Sequence, residues 1–62
     1  MKIRYRDKEW ELEGPRTVRQ AIEELGLIPR TVIAVRDGKA VSKDTVLEQE
    51  DEVRLLAVIS GG

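Results

Sequence analysis

The sequence predicts an α+β domain in which a mixed sheet of four to five strands packs on one helix. Three observations carry this. Two runs near the start alternate with period two, over residues 2–6 and 9–13. A single apolar stripe at helical spacing follows, with its own start and stop signals. Two β-branched apolar runs then close the chain, over residues 31–36 and 53–59, and the second runs out into Ser60, Gly61 and Gly62. With 62 residues there is room for one domain. A chain this short buries only about 60% of the surface it exposes when unfolded, so its core must be small and economical. We expect the domain over residues 1–59 and a flexible tail over residues 60–62.

In the first hairpin Ile3 and Tyr5 fall on one face, and Trp10 and Leu12 fall on one face of the partner strand. A two-residue turn at Asp7 and Lys8 pairs Arg4 with Glu11, Ile3 with Leu12 and Lys2 with Glu13. Outward pairs are then opposite in charge and inward pairs apolar, each worth roughly 0.2–1 kcal/mol. Gly14-Pro15 breaks the strand. Thr17 is placed to cap a helix, with Gln20 three residues on to complete a capping box. Val18, Ala21, Ile22 and Leu25 form the stripe at i, i+3, i+4 and i+7. Gly26 is placed to end the helix in the left-handed conformation, and Pro29 prevents its resumption. The third strand closes at the turn Asp37-Gly38, and residues 39–41 return as a short strand. Residues 42–47 read as irregular, with room for one 3₁₀ turn near Asp44. The acidic run at residues 48–52 reads as a solvated loop rather than a metal site, because consecutive residues of a loop point different ways. Strand, strand, helix, strand, short strand, final strand, with the first and last strands paired at the centre, is the β-grasp, the architecture of ubiquitin.

Composition narrows the function. The 11 basic and 12 acidic residues are interspersed and leave a net charge of −1, which gives no electrostatic footprint for nucleic acid. No apolar run has the length of a membrane span, and no signal peptide precedes the domain. There is no cysteine and no histidine. That removes the disulfide, the thiolate metal site, the nucleophilic thiol and the commonest general base. No acid–base pair or nucleophile can be assembled, so we expect no catalytic residue, no metal and no enzyme. A soluble, cytoplasmic monomer is the default.

Two features remain to carry function. The first is the tail, an extended and slim α-carboxylate on two glycines. Its bland reading is a frayed end; its sharp reading makes the Gly62 carboxylate the reactive group. The second is a docking surface. If Val53 and Leu55 point inward, then Arg54, Leu56 and Val58 point outward. Parity on the third strand, with Ile33 and Val35 taken as inward, puts Val32 and Ala34 outside. Val32, Ala34, Leu56 and Val58, with Ile59 at the root of the tail, would then form an exposed apolar patch.

The closing pattern, Leu47, Glu50-Asp51-Glu52-Val53, Leu55-Leu56 and Ile59-Ser60-Gly61-Gly62, resembles the end of the ubiquitin-like sulfur carriers. That family includes carriers for thiamine thiazole, for molybdopterin and for tRNA 2-thiouridine. Residues 27–36 together with 57–62 are most similar to the tRNA-thiolation carriers, and the resemblance covers essentially the full length. One departure is Glu50, where family members usually have Gly. Glu there would take a positive φ at a steric cost or remodel the turn.

The resemblance implies that a partner of the ubiquitin-activating type uses ATP to adenylate Gly62. A cysteine desulfurase or rhodanese then supplies sulfur, leaving a thiocarboxylate. It also implies an acceptor synthase or tRNA thiolase as recipient, with ATP used by the partner and no cofactor bound by this chain. Gly61 and Ser60 serve as the slim tail that threads the partner's channel. Two other readings stand beside this one. One is a protein modifier joined to lysines through Gly62. The other is a passive β-grasp interaction module with no need of free terminal glycines.

Overall fold

The computed structural model describes residues 1–58. Seven strands and one α-helix are found among these residues. They are β1 (Lys2–Tyr5), β2 (Lys8–Glu11), β3 (Arg16–Thr17), α1 (Val18–Glu24), β4 (Val32–Arg36), β5 (Lys39–Val41), β6 (Val46–Leu47) and β7 (Glu52–Ala57), with a 3₁₀ turn at Pro29–Thr31. Five strands form one sheet in the order β2-β1-β7-β4-β5, and β3 pairs with β6 in a small second sheet. The central pair β1 and β7 is parallel, as a β-grasp requires, and the flanking pairs are antiparallel.

The first hairpin forms with a register two residues away from the expected one. Ile3 faces Trp10, Arg4 faces Glu9 and Tyr5 faces Lys8, so the loop is Arg6-Asp7. Arg6 takes the positive φ, +58°. A slip of two preserves every side chain's face, because the strand period is two. The charge logic survives as well: Arg4 Nε donates to Glu9 Oε2 at 3.0 Å. The second hairpin turns at Asp37-Gly38 as expected, with φ of +55° and +78°, the paired left-handed conformation of a two-residue turn.

Local chemistry sets the helix ends. The Gln20 amide donates to Thr17 Oγ1 at 3.1 Å and the Thr17 amide donates to Gln20 Oε1 at 3.0 Å, closing the capping box. At the other end Gly26, with φ +80°, donates to the Glu23 carbonyl while Leu27 donates to the Ile22 carbonyl. Those two bonds are the Schellman pattern, and Leu27 packs back against the core with Ile22. Val18, Ala21 and Ile22 are each 1% exposed and meet Ile3, Val32, Ala34, Leu47, Val53 and Leu55 in one core.

Three expectations need correction. Residues 42–47 are not all irregular, because Val46 and Leu47 pair with Thr17 and Arg16, and Leu47 is fully buried. Two residues are too few for periodicity to reveal a strand. The 3₁₀ turn falls at Pro29–Thr31 instead of near Asp44, where Pro29 presets the backbone and Thr31 Oγ1 donates to the Ile28 carbonyl.

The acidic run is only partly solvated. Asp51 turns in, its carboxylate accepting from the Glu48 amide at 2.7 Å and from Arg36 Nη1 at 3.1 Å. Its amide donates to the Glu48 carbonyl and its carbonyl accepts from the Lys2 amide. Glu50 therefore sits in a tight turn tied at both ends. Glu50 does not take a positive φ: Arg6 and Asp37 are the positive-φ residues other than glycine among the described ones. Gly14 packs against this loop. A side chain there would meet the Gln49 backbone nitrogen at 2.8 Å, and its amide donates to Gln49 Oε1.

Candidate functional site

The helix covers one face of the sheet, and the opposite face is open. On β7 the alternation is as expected: Val53 and Leu55 are buried, whereas Arg54, Leu56 and Val58 are exposed. The third strand of the sequence reading, β4, has the opposite parity to the expected one. Val32 is 1% exposed and Ala34 is fully buried, so neither belongs to an open patch, and Ile33 stands outside at 39%. The register explains this. Ala34 lies opposite the buried Leu55 and Ile33 lies opposite the exposed Leu56, and directly opposed residues of an antiparallel pair share a face. Nothing in the run Val32-Ile33-Ala34-Val35 distinguishes its two faces. Arg36 shares parity with the buried pair, but it sits at the end of the strand, where its guanidinium reaches past the core to Asp51.

The apolar surface is therefore Ile33, Leu56 and Val58. Leu56 and Val58 are 48% and 43% exposed, which makes this a contiguous ridge of large side chains rather than scattered single residues. Its end is held firmly. The Val58 amide donates to the Thr31 carbonyl at 2.8 Å, extending the β4–β7 ladder past the last strand residue. The ridge thus runs to the end of the described part of β7. Ile59, Ser60, Gly61 and Gly62, the remaining expected site residues, lie outside the described residues.

Beside the ridge the same face turns basic. Arg4 and Arg54 occupy partnered positions on the parallel strands β1 and β7. Arg6, in the loop after β1, borders them, with its guanidinium 5.4 Å over the ring of Tyr5, which packs against the core on the helix side. Arg54 was expected to point outward, but Arg4 and Arg6 were not expected at the site; the three arginines line one hollow with Leu55 and Leu56. Alternation of Arg4 and Arg6 with Ile3 and Tyr5 was the signal that could have found them, once β1 was placed beside β7. Among the described residues no group of three or more metal-ligating side chains converges, and no helix is long and apolar enough to cross a membrane.

The fold and the site together define a small β-grasp domain with one face open among the described residues and apolar at the end of β7. The chain belongs to the ThiS family, whose model matches residues 2–62. It is also similar to "Sulfur carrier protein TtuB" of Thermus thermophilus. The identity is 44% over 55 residues, covering 89% of this chain and 85% of that relative. Sulfur carriers of this type are small substrate-like carriers and not enzymes.

Proposed function

We propose that the protein is a sulfur carrier for tRNA thiolation, working through the carboxylate of Gly62. The observation that carries the proposal is the family match, which extends through Gly61 to Gly62, together with 44% identity to a sulfur carrier. The chemistry suits the residues. A carboxylate is a poor electrophile until one of its oxygens belongs to a good leaving group. An adenylating partner would join that oxygen to the α-phosphorus of ATP and release pyrophosphate. A persulfide from a desulfurase or rhodanese partner would then attack the acyl carbon and expel AMP. A thiol cleaves the resulting sulfur–sulfur bond and leaves the thiocarboxylate for a tRNA thiolase.

With no cysteine and no histidine in the chain, the sulfur and the proton-transfer groups come from partners. Two glycines lack the Cβ that would obstruct a narrow channel. The ridge of Ile33, Leu56 and Val58 is the surface on which the activating enzyme would grip the domain. We place the protein in the cytoplasm as a monomer that binds no cofactor of its own.

The test is ATP–pyrophosphate exchange with the purified activating enzyme. The full chain supports exchange, and the chain lacking Gly61 and Gly62 supports none while keeping its melting temperature. Exchange undiminished by the deletion would overturn the proposal.

A further inference from the structure

The hollow beside Leu56 is an arrangement that folding alone does not account for. Arg4 and Arg54 sit at partnered positions of β1 and β7, both exposed and on the same face, and like charges so placed destabilise a sheet. Arg6 borders the third side, with its guanidinium turned toward the Tyr5 ring. Arg4 has Glu9 at 3.0 Å, whereas Arg54 has no ion-pair partner among the described residues. The hollow itself is lined by Arg4, Arg6, Arg54, Leu55 and Leu56, with no carboxylate in its lining among the described residues. On the far side of Arg4 and Arg54 the next hollow carries Lys2 together with Asp37 and Glu52, so carboxylates accompany the bases there. Positive potential is thus concentrated at the Leu56 end of the face, in a domain whose net charge is −1.

We propose that this corner binds carboxylate side chains of the activating enzyme, so that the partner surface covering the apolar ridge is bordered by aspartate or glutamate facing Arg54, beside Arg4. The assignment rests on the sulfur-carrier reading above and adds the chemistry of the partner surface. Two features favour protein carboxylates over a phosphate backbone. The arginines are continuous with Leu56, Ile33 and Val58, which a protein surface desolvates favourably and a phosphodiester strand does not. The rest of the domain is acidic enough to repel a polyanion. Guanidinium and carboxylate also match as bidentate partners, fixing the orientation of the docked domain as well as adding attraction.

Rim charges of this kind act chiefly on encounter rate and are screened by salt. The experiment is therefore the salt dependence of KM for the carrier in ATP–pyrophosphate exchange. Wild type is compared with Arg54→Gln, Arg54→Glu and Arg54→Lys. We expect Arg54→Glu to raise KM about tenfold at low ionic strength and about two- to threefold at roughly 0.5 M salt, as screening removes the repulsion. Arg54→Gln should fall between, and Arg54→Lys, which keeps the charge and loses the planar fork, between wild type and Arg54→Gln. An unchanged KM for Arg54→Glu, or a rise independent of salt, overturns the proposal. So does a variant activated normally whose preformed thiocarboxylate fails only in tRNA thiolation, which would set the hollow against nucleic acid. Failure of the sulfur-carrier reading is distinct, because wild type itself would then support no exchange.

Discussion

Ile33 and Leu56 lie directly opposite each other in the antiparallel pair β4–β7, both exposed on the face of the sheet that the helix leaves open. One residue along, Ala34 and Leu55 are opposed in the same way and are buried beneath the helix. The strand pair therefore divides four neighbouring apolar side chains between the core and a surface offered to a partner. Two apolar residues a single step apart have opposite tasks.

That division predicts opposite outcomes for the same substitution at adjacent positions. Val32→Asp places a carboxylate among buried hydrocarbon, at a cost of at least about 3 kcal/mol. For a domain of this size each kcal/mol lowers Tm by about 4–8 °C, so thermal unfolding should show a large loss. Ile33→Asp, on the open face, should cost only about 1 kcal/mol, from lower strand propensity and the lost pair with Leu56. Melting curves of the two variants measure this directly, and equal destabilisation would return β4 to the other parity.

Leu56→Arg should keep the fold and weaken association with the activating enzyme. Truncating or charging the centre of an apolar contact costs about 2 kcal/mol or more, which is at least tenfold in Kd. Calorimetric titration of the purified pair checks it. An unchanged Kd would remove the ridge from the interface.

Asp51 holds the 48–51 turn by accepting from the Glu48 amide and pairing with the partly buried Arg36. Asp51→Ala should destabilise by about 1–3 kcal/mol through the lost cap and the guanidinium left without its partner. Glu50→Ala, in the same turn but exposed, should change stability little. Urea unfolding of the two variants separates them, since the midpoint should move only for Asp51.

Much of this architecture was legible in the sequence because local signals agreed with one another. Thr17 and Gln20 announced the helix start, Gly26 its end, and Asp37-Gly38 a tight hairpin, each through backbone chemistry that needs no tertiary partner. The face of β7 was legible because Arg54 and Glu52 alternate with Val53 and Leu55. The face of β4 was not, because Val32, Ile33, Ala34 and Val35 are all apolar and only pairing with β7 selects which two are buried. The first hairpin's register escaped for a related reason. Lys2 to Arg6 alternates equally well against residues 8–11 and 9–13, and the choice rests on Arg6 accepting a positive φ. The pair of Val46 and Leu47 with Arg16 and Thr17 is a contact between distant short segments, which no local pattern marks. The three arginines became a cluster only when β1 came to lie beside β7.

The central claim concerns the carboxyl group of Gly62. The most direct measurement is the mass of the C-terminal peptide of the protein isolated from cells growing with an active thiolation pathway. The account predicts a fraction heavier by the exchange of one oxygen for sulfur, lost when the activating enzyme is removed. A C-terminal peptide found solely as the plain carboxylate, or solely as an amide joined to lysine, would contradict it.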